Sequence, residues 1–179
     1  MKKLLILLLS TILTGCSFGK ENEKKIIDAN TKLERDLEMY QNVWNTFLNG
    51  DTSVINEDNF TKDVIIVTAE GNLVGIESTL EYYKNYLTAF SDIEWSIIDA
   101  FGQGDKIVKQ WNFKGKHTGA FFDIAATGNY LDLSGTTIVT MRNGKIAKEH
   151  DFFDMKSLLD QLSKSDGEVV TIDEYQPVN

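Results

Sequence analysis

His117, His150 and Asp154 are the side chains whose types and spacing could do acid–base chemistry. They fall within residues 111–162, a stretch that holds every histidine of the protein. A neutral imidazole donates from one ring nitrogen and accepts at the other, so it can polarise or bind a ligand. A carboxyl held near working pH can exchange protons. Asp154 also stands just before a predicted helix, where a carboxylate accepts from free backbone N–H groups and contributes about 1 kcal/mol. Such bonds lower its pKa and make it a poorer base. His150 and Asp154 are roughly 13 Å apart along a strand rising 3.3 Å per residue, so they form no direct dyad unless the chain bends sharply.

The elements that must position these groups follow an α+β pattern. Apolar residues over 24–48 take helical spacing from Leu33 onward, through Leu37, Tyr40, Val43, Trp44, Phe47 and Leu48. Asn49-Gly50-Asp51 ends that helix. Residues 64–68 predict a strand, 75–90 a second helix, and 93–101, 106–117, 130–142 and 145–153 four further strands. Asn143-Gly144 is a hairpin signal. A short helix follows over 155–162. Helices first and a meander afterwards predict helices packed on one face of a curved sheet. Alternation places Ile107, Trp111, Phe113 and His117 on one strand face, and Ile146, His150 and Phe152 on another, continued by Asp154. Apolar walls carrying a few ionisable groups suit a concave small-molecule pocket.

The N-terminus reads as a targeting segment. Lys2 and Lys3 precede an apolar run, 4–13, too short to span a bilayer as a permanent helix. Leu13-Thr14-Gly15-Cys16 resembles the lipobox of bacterial lipoproteins, in which the cysteine is acylated and becomes the first residue. The resemblance implies that 1–15 is removed, that Cys16 is anchored in membrane lipid, and that the domain lies in the cell envelope outside the cytoplasm. Each buried methylene contributes roughly 0.8 kcal/mol to such an anchor. Cys16 is the only cysteine, so no intramolecular disulfide competes. Residues 16–23 read as a tether, 24–162 as the folded domain and 163–179 as an acidic tail.

Composition excludes several classes. Net charge is −9, and loss of Lys2 and Lys3 takes it to about −11, a poor balance for holding phosphates. No nucleic-acid partner is expected. Two histidines without H-x-H or H-E-x-x-H spacing predict no metal site. There is no G-x-S-x-G, P-loop or dinucleotide fingerprint.

Several short pieces of the chain carry a resemblance. They are Gly115-x-His117-x-Gly119-x-Phe121, Ala126-Thr127-Gly128, Asn143-Gly144-Lys145-Ile146, and Glu149-His150-x-x-x-Asp154 with Leu158-Leu159-x-Gln161-Leu162. Over roughly residues 40–162 the chain resembles the SnoaL-like polyketide cyclase (ester cyclase-like) family of the nuclear transport factor 2-like superfamily. The resemblance implies a cone-shaped barrel: a strongly curved mixed or antiparallel sheet closed by N-terminal helices around a deep cavity. In the cyclases an aspartate is the general acid/base of an intramolecular aldol closure, with no metal or cofactor. Asp154 matches that motif and is the implied catalytic residue, with His117 as polarising partner. His150, Trp111, Phe113, Trp44 and Tyr40 are the expected ligand-binding set. The chain departs from the family at Asp123, Ala125-Ala126, Lys148 and His150, which stand where glycine, a proline pair, glutamate and tryptophan are common.

The leading expectation is an envelope-anchored protein whose cavity binds a small, largely apolar molecule. The second is a cofactor-free cyclase, isomerase or hydrolase using Asp154. The third is an interaction module that homodimerises through its sheet, with Val139 and Met141 on the contact surface.

Overall fold

The computed structural model describes residues 12–69 and 71–163. Residues 1–11, which begin the predicted targeting segment, and the tail from 164 onward lie outside the described residues. The first helix, α1 (Ile12–Leu48), runs through the stretch read as a tether. Its residues 20–31 are exposed, including Ile26 and Ile27. Packing begins near Leu33, where the helical apolar spacing begins.

After a short 3-10 turn at Thr52–Val54 come β1 (Phe60–Thr68), β2 (Gly71–Val74), α2 (Ile76–Ala89), β3 (Phe90–Gln103), β4 (Lys106–His117), β5 (Tyr130–Arg142), β6 (Lys145–Phe153) and α3 (Met155–Ser163). The strands form one sheet in the order β2-β1-β6-β5-β4-β3. β1 and β6 pair in parallel, and the other neighbours are antiparallel. The sheet is curled rather than closed, with the helices on its concave side. At the β5–β6 hairpin Asn143 and Gly144 both take positive φ, 55° and 75°, as a tight primed turn requires.

Two apolar cores fill the concavity. One joins α1 and α2 to β1 through Tyr40, Val43, Trp44, Phe47, Phe60 and Tyr83. The other joins β4 and β5 to α3 through Trp111, Phe113, Leu131, Leu133, Leu158 and Leu162. Val139 and Met141 are inside the first core, 0% and 2% exposed, so they are not on an outer contact surface. Their neighbour Ile138 faces outward.

One irregularity decides which side chains of β6 enter the concavity. Met141 pairs with Ile146 and Thr140 with Lys148, so Ala147 is an extra residue in the ladder. A bulge of this kind shifts the side-chain alternation by one. Ile146 points inward before it, and Glu149 is wholly buried after it. His150 and Phe152, expected on the face of Ile146, therefore lie on the outer face. Phe152 is 46% exposed there and packs against His150, the two rings tilted by 40°.

Candidate functional site

A cavity lies where the two cores meet. It is lined by Trp44, Phe47, Leu48, Tyr83, Tyr86, Trp95, Lys109, Trp111, Phe113 and Asp151. Its enclosed space is about 50 Å³, opening to solvent at a mouth. All three tryptophans of the protein line it. Trp95 and Trp111 stack with centroids 5.7 Å apart, forming one wall. Trp111 lies flat across β5 because its partner there is Gly135. A Cβ at that position would stand 2.3 Å from the indole Cζ2.

Beside this apolar wall sits a connected set of buried polar groups. Glu149 Oε1 accepts from the Tyr40 hydroxyl at 2.6 Å and the Trp44 Nε1–H at 3.1 Å. Tyr83 Oη lies 3.1 Å from Glu149 Oε2 and 3.0 Å from Asp151 Oδ2. Asp151 Oδ1 accepts from Thr137 Oγ1 at 2.5 Å, and Thr137 in turn accepts from Trp111 Nε1–H at 3.0 Å. Each of five elements contributes: α1 gives Tyr40 and Trp44, α2 gives Tyr83, β4 gives Trp111, β5 gives Thr137, and β6 gives the two carboxyls.

The proton count in this set is informative. A tyrosine hydroxyl carries one proton, and an ionised carboxylate only accepts. Tyr83 cannot donate to Glu149 and Asp151 at once. Both contacts are satisfied when Glu149 is protonated, donates to Tyr83 Oη, and Tyr83 donates to Asp151. The electrostatics agree. Burial pushes the Glu149 carboxyl up to about 7, with Lys109 opposing and Asp151 adding to the rise. Burial, reinforced by the two carboxyls, holds the Tyr40 and Tyr83 phenols protonated far above the ordinary tyrosine value.

Lys109 completes the site. It is 3% exposed, and its Nζ stands 5.0, 4.9 and 5.1 Å from the ring centroids of Tyr40, Trp44 and Trp95. Such faces attract a cation. Burial nevertheless lowers its pKa, against the pull of Glu149 and Asp151.

The residues singled out from sequence are distributed unevenly around this site. Trp44, Trp111 and Phe113 line the cavity. Tyr40 is behind it, holding Glu149. His150 is outward, displaced by the bulge. Asp154 is exposed before α3, where its Oδ1 accepts from the Ser157 N–H at 3.0 Å. His117 is buried in the second core between Phe90 and Phe121, outside the cavity lining. Its Nδ1 accepts from the Thr127 backbone N–H at 3.3 Å and lies 3.0 Å from Thr127 Oγ1. Its Nε2 has no partner among the described residues. Burial keeps its pKa below the ordinary histidine value.

Lys109, Tyr83, Asp151 and Glu149 were not among the residues singled out as a site. Lys109 did carry a signal: it shares the strand face of Ile107, Trp111 and Phe113, a charged residue inside an apolar set. Glu149 stood in the family-like run Glu149-His150-x-x-x-Asp154, but nothing local marked its side chain or that of Asp151 as inward, because their facing depends on the bulge at Ala147. No group of three or more histidine, cysteine, aspartate or glutamate side chains suited to a metal ion occurs among the described residues.

Comparison with known proteins gives consistent findings. The profile of the SnoaL-like polyketide cyclase family matches residues 35–162. Among solved structures, a SnoaL-like polyketide cyclase-type protein from Jannaschia sp. CCS1 superposes with a TM-score of 0.69 at 18% identity, covering 74% of this chain and 94% of its own. TsrD from Streptomyces laurentii gives 0.62 at 22% identity, covering 70% and 96%. An NTF2-like protein of unknown function from Burkholderia pseudomallei K96243 gives 0.60 at 13% identity, covering 73% and 98%. At these identities the likeness concerns the fold. A comparison with curated proteins returns no match.

Proposed function

We propose, from the premise that this chain belongs to the SnoaL-like polyketide cyclase family, that its cavity binds a small, largely apolar carbonyl compound and moves a proton on it without a cofactor. The carrying observation is the Glu149–Tyr83–Asp151 chain. Glu149 stores a proton in the interior, Tyr83 passes it on, and Asp151 presents it at the cavity wall. A carboxyl held near pH 7 is matched to both giving and taking protons under neutral conditions. Tyr40 and Trp44 position Glu149, and Thr137 positions Asp151. The stacked Trp95 and Trp111 offer a flat apolar surface to the ligand. Binding without turnover is the simpler form of the same reading, and the cavity wall supports it equally.

The proposal includes the location. A lipid chain on Cys16 anchors the protein in the cell envelope, and the exposed N-terminal turns of α1 hold the domain away from the membrane. Radiolabelled palmitate is expected on the wild-type chain and absent from Cys16→Ser; equal labelling of both removes the anchor.

Ligand binding and proton movement are tested separately on the full chain in detergent. With all three tryptophans at the cavity, an occupying molecule changes the intrinsic fluorescence. Exchange of α-hydrogens for deuterium is then followed on a panel of enolisable esters and lactones. Glu149→Gln and Asp151→Asn are each expected to slow exchange by about 10²–10⁴-fold, the range for a true general acid/base. Unchanged exchange in both variants overturns the acid–base reading, and a fluorescence response that persists leaves a binding protein.

A further inference from the structure

Lys109 is a buried amine for which proton transfer between carboxyls gives no use. Among the described residues its Nζ forms no ion pair, and it stands over three ring faces. It lines the same cavity as Asp151. A lysine retained only for structure is expected to pair with a neighbouring carboxylate, since a buried unpaired charge is costly. Here Glu149 and Asp151 are close enough to act on it electrostatically, yet each is committed to hydroxyl and indole donors. The amine is left without a committed carboxylate partner, on a residue that lines the ligand space.

From this placement we infer that Lys109 is a nucleophile that forms an imine with an aldehyde or ketone held against the Trp95–Trp111 wall. The inference rests on the reading of this cavity as the ligand site, and it narrows the ligand to compounds with an unhindered carbonyl. Desolvation among aromatic rings supports it, because it raises the share of free amine. The step balances without a further reagent. The nitrogen lone pair attacks the carbonyl carbon, a C–N bond forms, and the carbonyl π pair moves to oxygen. Two protons from nitrogen end on that oxygen, the C–O bond breaks, and water leaves as the nitrogen pair completes C=N. Asp151, with Tyr83 and Glu149 behind it, relays those protons. Space of about 50 Å³ holds roughly four water-sized groups, so the reacting end is a small acyl group and any longer body lies in the mouth.

The probe is pentane-2,4-dione, whose acetyl end fits that space and whose condensation with an amine gives a near-ultraviolet-absorbing enaminone. The full chain is treated at neutral pH and its peptides are mapped by mass. The expected result is a single adduct per chain on the peptide carrying Lys109, at a probe concentration that leaves exposed lysines such as Lys62 and Lys156 unmodified. Adducts spread over the exposed lysines with none on Lys109 overturn the proposal. Lys109→Arg keeps a cation against the rings and cannot form the imine. With folding checked by its thermal transition, it is expected to lose the absorbing species, and retention of that species also overturns the proposal. The two readings remain separable. An adduct on Lys109 without hydrogen exchange on any ester or lactone leaves the imine and removes the proton transfer. Exchange that survives Lys109→Arg, with no adduct in the wild type, removes the imine alone.

Discussion

Glu149 and His117 are both fully enclosed ionisable side chains on the concave side of one sheet, and they differ in everything that makes burial useful. Glu149 meets two hydroxyls and an indole N–H, and through Tyr83 it reaches a carboxylate on the cavity wall. His117 has one satisfied nitrogen and one that meets no partner among the described residues, between two phenyl rings. The donation from Thr127 into Nδ1 places the remaining proton on Nε2. That proton has no hydrogen-bonded route to the cavity. An ionisable group in the interior becomes acid–base machinery only when a path joins it to the place where a ligand sits.

The largest expected effect sets these two centres against each other in pH. Glu149 is raised from 4.5 to about 7, so the native state holds a proton that the unfolded chain releases. Its contribution is fully present below about pH 4.5 and is lost as pH rises through about 7, an amount on the order of 3 kcal/mol. The groups facing it are Tyr40 from α1, Tyr83 from α2, Lys109 from β4 and Asp151 from β6. His117 has the opposite sign. Its depressed pKa gives stability present above the unfolded value of 6.5 and lost as pH falls. Asp51, Asp63 and Asp132 are lowered below the ordinary aspartate range and act at more acid pH. Denaturant unfolding from pH 4.5 to 7.5 is expected to show wild-type stability falling as pH rises. In Glu149→Gln that fall is expected to disappear, leaving the upward slope to which the depressed His117 and Lys109 contribute. A slope that persists in Glu149→Gln would show that Glu149 ionises normally in the fold.

Legibility in the sequence divides along the same line. The helices, the long strands and the Asn143-Gly144 hairpin are written in apolar period and turn chemistry, and they were readable. So were Trp44, Trp111 and Phe113, whose alternation or helical spacing sends them inward. The helix through residues 16–23 is not legible in the sequence, because a stretch with little to bury gives no periodic signal. Glu149 and Asp151 were missed for a sharper reason: counting by twos from Ile146 selects His150, and one unpaired residue at Ala147 inverts the count. Neither Ala147 nor its neighbours is a glycine or a proline, so no local chemistry announces the bulge. It is set by pairing with β5 and β1.

His117→Phe is the next contrast. A phenyl ring continues the Phe90–Phe121 packing and removes the unpartnered N–H, but it deprives Thr127 of its acceptor. These changes oppose one another, and a net loss of about 1–2 kcal/mol is expected from imperfect repacking and the lost bonds. Hydrogen exchange on the ester and lactone panel is expected to stay at the wild-type rate. A fall as large as that of Glu149→Gln would place His117 on the proton path and erase the distinction between the two centres.

Asp154 gives the smallest effect and the most direct check on the motif-based assignment. It is exposed, it accepts from the Ser157 N–H, and α3 begins at the following residue. Those are the marks of a helix cap. Removing the acceptor in Asp154→Ala is expected to destabilise the domain by about 1 kcal/mol, whereas Asp154→Asn, which still offers an oxygen to Ser157, changes stability by much less. A general base gives a different pattern. Asparagine would then be as inactive as alanine, because an amide caps a helix but takes no proton at working pH. The pair therefore separates the two roles by pattern and not by size. Loss of stability in alanine alone, with exchange intact in both, assigns Asp154 to the helix. Exchange lost equally in both, with asparagine still fully stable, would return the chemistry to the end of β6 and away from Glu149.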